Sequence, residues 1–203
     1  MGATSIPDRQ VQNVEIVEVG PRDGLQNEPM SLSTRDKVAF VERVIAGGAR
    51  RIEIASFVRA DRVPQMADAE AVIANVPVRD DVVYIGLVLN ERGVDRALAT
   101  SIDEIGAVCV ASDIFAQRNQ GQTSAQSLEI ACAVAERARA AGRRGQVTIS
   151  AAFGCPFEGE VSPDRVVAMA ERAAAAGVVE IALADTIGVA VPPQVSALVA
   201  RVR

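Results

Sequence analysis

The chain has 203 residues, 49% of them hydrophobic, and a formal net charge of −5. That length can bury a real core and is most simply one domain. The acidic balance, without a basic patch or a set of stacking aromatics, argues against nucleic acid as a partner, and no apolar run approaches the roughly 18 residues of a membrane span.

Met1 to Asn13 reads as a polar lead-in. It lacks the apolar core of a signal peptide and the Arg/Ser richness of a transit peptide, so a cytoplasmic protein is expected. Val14 to Val19 reads as a buried strand of β-branched residues. The character changes at Gly20-Pro21, a turn signal, and the polar run Arg22, Asp23, Gly24, Gln26, Asn27, Glu28 follows. Packing does not ask for that many polar groups after a buried strand, whereas a ligand site does. Ser33 or Thr34 caps the first helix, with Val38, Val41, Val44 and Ile45 on one face and Gly47-Gly48 at its end.

A second strand is expected at Arg51 to Ala55, a loop at Ser56 to Gln65, and a helix at Met66 to Asn75. The third strand, Val82 to Val88, is apolar throughout, the pattern of burial on both faces. A short helix at Glu91 to Thr100 and a strand at Glu104 to Val110 follow. Ala111 to Gln122 reads as a long loop, Ser124 to Ala141 as an Ala-rich helix, and Gln146 to Ala151 as the fifth strand. After the loop Phe153 to Glu160, Ser162-Pro163-Asp164 opens a helix that ends at Gly177. A sixth strand covers Val178 to Leu183, and a last helix runs to Arg203.

Six strand–helix units in strict alternation predict an α/β fold with a parallel sheet. No G-x-G-x-x-G follows the first strand, and polar clusters follow several different strands. That distribution suits the rim of a barrel better than a doubly wound sheet. A (β/α)8 TIM barrel has eight units and about 250 residues. The expectation is therefore one incomplete barrel domain over 1–203, truncated after about six units and lacking strands 7 and 8.

Two absences narrow the chemistry. There is no histidine, which excludes Ser-His and Cys-His nucleophile systems and leaves only carboxylates, carbonyls and water for a metal. The single lysine, Lys37, sits early in a helix, which argues against a Schiff base. Cys109, Cys132 and Cys155 lack paired spacing and read as reduced thiols.

Arg22-Asp23 has two readings: a loop salt bridge with an Asx-turn, or a cation for a carboxylate or enolate beside a hard-oxygen ligand for Mg2+ or Mn2+. Glu53, inside the short strand RIEIA, must meet a cation if it points inward. Arg22 is the natural partner, and Arg50 or Arg51 is the alternative for an outward side chain. Asn119 lies in the expected loop after strand 4, where Arg118 is also placed to meet a phosphate. Cys155 has no nearby base to lower its pKa and reads as structural or site-lining. Asp185 in LADTIGV is either an N-cap for the last helix or a carboxylate at the strand end.

The run VGPRDGLQNE, the segment IEIASFV with Val63-Pro64-Gln65-Met66, the G-C-P loop and the D-T-I-G segment together resemble the hydroxymethylglutaryl-CoA lyase family of barrel metallolyases. The resemblance implies that Arg22, Glu53 and Asp185 are catalytic and that Asp23 is a metal ligand. It also implies that Arg22, Gln26 and Asn119 bind an acyl-CoA. The implied reaction cleaves 3-hydroxy-3-methylglutaryl-CoA to acetyl-CoA and acetoacetate with a divalent cation, Mg2+ or Mn2+, in a homodimer or other homo-oligomer. A related lyase or Claisen-type synthase shares the signature, and a non-catalytic or split-barrel fragment is the alternative of another class. The family's H-x-H pair and its second G-C-P loop are missing from this chain, so the 203 residues alone are expected to be inactive and prone to aggregate at open sheet edges.

Overall fold

The structure, a computed structural model, describes residues 14–203. The polar lead-in lies outside them. Six strands form one parallel sheet in the order of the sequence: β1 Val17–Glu18, β2 Arg51–Ser56, β3 Val83–Val88, β4 Glu104–Val110, β5 Arg144–Ser150 and β6 Glu180–Leu183. Helices α1 Thr34–Ala46, α2 Ala69–Asn75, α3 Glu91–Leu98, α4 Asp113–Gln120, α5 Ser124–Ala140, α6 Pro163–Ala175 and α7 Pro192–Val202 separate and follow the strands. Each βαβ crossover keeps the next strand parallel and beside the last, which is how a barrel wall is built. Among the described residues no helix is long and apolar enough to cross a membrane.

The caps stand where the side-chain chemistry puts them. Ser33 accepts the Asp36 amide at 3.2 Å, and Thr123 and Gln126 form a reciprocal capping box. Two expectations fail. The first strand is neither long nor buried: only Val17–Glu18 pair, and Val14 and Ile16 are 81% and 68% exposed. Among the described residues β1 pairs with β2 alone, so it is a sheet edge and its apolar residues lack a covering neighbour. The long loop after β4 is mostly the helix α4, closed by Gly121 in the left-handed region at φ 71°.

Register separates the two faces of the sheet. Paired residues in a parallel sheet point the same way. Arg51, Val83, Ile85 and Glu104 share one face through their pairings, and Gly106 with Gln146, Thr148 and Glu180 continue it. The other face carries Ile52, Ile54, Ala55, Tyr84, Ile105, Ala107, Val147 and Ile149. These pack with Val41, Ile73, Val94, Ala131, Val134 and Val166 of the helices in one apolar cluster. The outer face is thus apolar, whereas the inner face sets Arg51, Glu53, Glu104, Gln146 and Glu180 among apolar residues such as Val83, Ile85 and Leu87.

Charge on the inner face is held together by Arg51, which is 2% exposed. Its guanidinium bonds Glu104 through Nε at 3.1 Å and also through Nη2, and Nη1 reaches both Glu180 and Glu15. Gln146 Oε1 accepts from Nη2 at 3.4 Å. Burial alone disfavours the charged arginine, but the bonds to Glu104 and Glu180 outweigh it and hold its pKa above the ordinary value. Glu15 precedes β1 and Glu180 begins β6, so one side chain spans from edge to edge of the sheet. Gly106 leaves the room: a Cβ there would lie 3.1 Å from Gln146 Nε2.

Arg51→Met leaves the buried Glu104 with only Arg144, whose Nε lies 3.7 Å from Oε2, and is expected to cost about 3–5 kcal/mol. The double variant Arg51→Met/Glu104→Met should recover much of that loss. Urea unfolding of the two variants measures both, and a single-variant loss below about 1 kcal/mol would show that the cluster does not hold the sheet.

Candidate active site at the C-terminal ends of the strands

The chain leaves β1 in a tight turn. The Val19 carbonyl accepts the amides of Arg22, Asp23 and Gly24 at 3.1, 2.7 and 3.4 Å, a single wide helical turn over Gly20–Gly24. The Gly20 amide donates to Glu18 Oε1 at 2.6 Å, and a Cβ at Gly20 would lie 2.9 Å from that oxygen, so a side chain there would displace the carboxylate. Pro21 is buried and sets the start of the turn. The result aims Arg22 across β2 rather than out to solvent.

Arg22 Nε donates to Glu53 Oε1, and its Nη1 donates to Asp23 Oδ1 at 2.8 Å. The inward reading of Glu53 is the one observed. Arg51, its alternative partner, serves Glu104 instead, and Arg50 pairs with Asp81. Glu53 is 6% exposed, whereas the Asp23 side chain is 53% exposed at the mouth. Burial raises the Glu53 pKa above the ordinary carboxylate value, against the opposing charge and hydrogen bond of Arg22. Nη2 of Arg22 makes no bond to a side chain among the described residues, which leaves donors for an oxygen of a ligand.

The neighbouring loops are tied to this turn. Gln65 Nε2 donates to the Glu28 carbonyl at 2.8 Å, and Lys37 donates to the Gln65 carbonyl and to Asp68. The lysine is therefore committed to structure, as its helical position suggested. Gln26 is half-buried, and its Oε1 has no hydrogen-bond partner.

Asp185 makes no bond to Arg22, Asp23 or Glu53. Its two carboxylate oxygens accept the amides of Val189 and Ala190 at 3.0 Å each, shaping the loop after β6. It does not cap the last helix, whose N-cap position is Val191. Thr186 Oγ1 accepts the Ala151 amide at 2.8 Å, which docks that loop on the end of β5. Ala151 sits at φ 55°, an uncommon conformation for a residue with a Cβ. Neither link could be read from the sequence, since alanine gives no sign of a left-handed backbone.

Asn119 is exposed on α4, on a helix rather than the expected loop. Its neighbour Arg118 stacks over Phe157 at 4.2 Å, and Phe157 meets Phe115 edge to face. Cys155 is buried below them. Ser112 Oγ donates to its sulfur at 2.9 Å, and the amides of Phe157 and Glu158 approach it at 3.4 Å. These contacts hold the loop 153–160 in shape. Cys109 is inert, its thiol pushed up to about 12 by burial.

No three metal-binding side chains come together among the described residues. Asp23 offers one carboxylate, with Oδ1 shared with Arg22. A divalent cation needs about six oxygen ligands, so these residues alone do not fit a complete metal site.

A family model described as HMGL-like matches residues 13–203. Among curated proteins, (R)-citramalyl-CoA lyase of Chloroflexus aurantiacus is 43% identical over 93% of this chain and 62% of its own length. The 3-hydroxy-3-isohexenylglutaryl-CoA/hydroxymethylglutaryl-CoA lyase of Pseudomonas aeruginosa is 40% identical over 88% of this chain and 59% of its own. A solved lyase structure from Acinetobacter baumannii, in complex with coenzyme A and 3-methylmalate, superimposes with a TM-score of 0.88 at 34% identity. It is matched over 93% of this chain and 61% of its own. The chain thus spans about 60% of the length of these relatives, and the six strands are those of a barrel wall.

The Glu53 carboxyl should titrate above the roughly 4.3 of an unfolded glutamate, and Arg22→Met should raise it further by removing the one opposing charge. Its contribution to stability is then complete below about pH 4 and is lost as pH rises through the folded value. Carbon-13 NMR of the side-chain carboxyls tests this, and a value at or below 4.3 in Arg22→Met rules it out.

Proposed function

The chain belongs to the HMGL-like family, and from that premise we propose that the whole protein is a carbon–carbon lyase for a 3-hydroxyacyl-CoA. The observation that carries the reading is the Arg22 guanidinium, fixed between Glu53 and Asp23 at the strand ends with donors to spare. A preorganised cation at that place suits an oxygen that gains charge during reaction.

The reaction is a retro-Claisen cleavage. The 3-hydroxyl loses its proton, C3 becomes a ketone carbon, and the C2–C3 bond breaks. Its electron pair moves onto the thioester as an enolate, whose oxygen Arg22 stabilises. Protonation at C2 completes acetyl-CoA. With 3-hydroxy-3-methylglutaryl-CoA the ketone is acetoacetate. Glu53 holds Arg22 in orientation, and its burial keeps water from competing for the guanidinium. Asp185 is assigned the hydroxyl proton, because each of its oxygens retains a lone pair beyond the bonds to Val189 and Ala190. Gln26 is assigned to the acyl group, and Asn119 with Arg118 to the CoA arm. Asp23 is assigned as this chain's one ligand to a divalent cation, Mg2+ or Mn2+, which supplies Lewis acidity when bound.

A second substrate has its own support, since one relative is named for citramalyl-CoA. The two thioesters differ by one methylene between the tertiary carbinol and the carboxylate. A methylene is worth about 10- to 200-fold in discrimination. Comparing kcat/KM for the two, with protein from the complete open reading frame, decides between them. Failure to cleave either one would remove the lyase reading.

In that assay Arg22→Met should lower kcat by about 10²- to 10³-fold. Arg22→Lys should not restore it, because an ammonium lacks the planar fork that serves Glu53, Asp23 and a ligand together. Full activity in either variant would clear Arg22 of the role. For the metal, Mn2+ titrated into the 203-residue chain and followed by electron paramagnetic resonance should bind weaker than about 10⁻³ M. Micromolar binding would show that the carboxylates described here make a site after all.

A further inference from the structure

We propose that the Ser56 hydroxyl is a further substrate-binding group, donating to an oxygen of the acyl portion of the bound thioester; this rests on the lyase reading above. Ser56 ends β2, is fully buried, and its Oγ has no hydrogen-bond partner. Buried hydroxyls without partners are rare in folded proteins because they lose water and gain nothing. One that persists asks for a partner that the described residues do not supply.

Strand register shows which way Ser56 points. Glu53 pairs with Ile85, but after a bulge at Ile54 it is Ala55 that pairs with Gly86, and Ser56 with Leu87. Ile85 and Leu87 lie two apart on one strand and share a face. Glu53 and Ser56 therefore share that inner face, although they are three apart. The outer layer confirms the shift: Ile54 and Ala55, adjacent in sequence, both pack in the helix-facing cluster, whereas Ile85 and Leu87 do not. Without the bulge Ser56 would face the helices. Bulges of this kind re-aim side chains beside active sites.

A second atom makes the same demand. Gln26 Oε1 lacks a partner, just past the turn Gly20–Gly24 that carries Arg22. Among the described residues these are the only two such buried side-chain atoms. Both belong to the C-terminal end of the sheet, while the polar groups of the other end are bonded around Arg51. The orphaned donors and acceptors are confined to the mouth where Arg22 waits.

The test uses protein from the complete open reading frame and the variants Ser56→Ala and Ser56→Cys. Removing an unsatisfied hydroxyl should leave the Tm of the ligand-free protein unchanged or raise it by a few degrees. The same change should lower kcat/KM by about 10- to 100-fold, the worth of a hydrogen bond to a charged oxygen. Cysteine, a weak donor of similar size, should recover part of the loss. A Ser56→Ala variant with kcat/KM within about twofold of wild type, or one whose Tm falls, overturns the proposal, since the hydroxyl would then serve the fold. If wild type cleaves neither thioester, the lyase reading fails by itself. The Ser56 assignment is then read from the rise in Tm on adding 3-hydroxy-3-methylglutaryl-CoA. A rise present in wild type and lost in Ser56→Ala supports it, and an equal rise or none in either overturns it.

Discussion

Arg51 bonds a carboxylate on each edge of the sheet and two polar groups between them, so its position dictates how far the sheet must curl. Glu15 ahead of β1 and Glu180 on β6 meet the same Nη1, and Glu104 and Gln146 fill the space between. A flat sheet would hold these edges far apart. With strands about 4.8 Å apart, six in a plane would place β1 and β6 roughly 24 Å from each other, beyond the reach of one arginine. The charges are costly to bury singly and tolerable only together, which makes curvature a condition for burying any of them. The apolar cluster on the other face then supplies the adhesive energy, with helices covering a surface already bent.

The two ends of the inner face differ in one respect that matters. Near the start of the strands every buried side-chain polar group among the described residues has a partner, and the ion cluster is closed. Near their ends the polarity is unfinished: Arg22 keeps free donors, Ser56 and Gln26 have none of their bonding satisfied at the atoms named, and Asp23 stands half in solvent. Stability is thus concentrated at one end and binding capacity at the other, the usual division in a strand–helix barrel. A substitution at Arg51 acts on the closed ion cluster, whereas one at Arg22 leaves that cluster intact and acts at the mouth.

Local rules made much of this legible. β4 was expected at Glu104 to Val110 and occupies those residues, and α1 begins at the Ser33 cap, because propensity, alternation and capping all act within a few residues. What stayed hidden depends on distant neighbours. Nothing in RRIEIA says that Arg51 pairs with Glu104, 53 residues away, whereas Arg22 was legible as the natural partner of an inward Glu53. The helix α4 carries few apolar residues on a regular stripe, so its sequence DIFAQRNQ reads as loop. The edge position of β1 is a property of the sheet, not of Val14 to Val19. At Asp185 the strand-end position was visible, but the pairing of its oxygens with the amides of its own loop was not.

The bulge in β2 shows how the outer layer governs the inner one. Phe57 follows Ser56 and lies on the helix side, where Gly86 provides a hollow: a Cβ at Gly86 would lie 2.7 Å from the phenyl edge. Gly93 of α3 comes close as well, a Cβ there lying 3.1 Å from the Phe57 carbonyl. Arg96 closes the arrangement, with its guanidinium 5.6 Å from the ring, bonded to Glu70 and to the Val58 carbonyl. Once Phe57 is seated, the chain has one residue too many between Glu53 and that seat for regular pairing. Ile54 is pushed into the bulge, and Ser56 turns inward. Two glycines that remove side chains from the outer layer therefore set the direction of a hydroxyl on the inner one. The orphaned state of Ser56 follows from packing that any relaxation of β2 into a regular strand would have to undo.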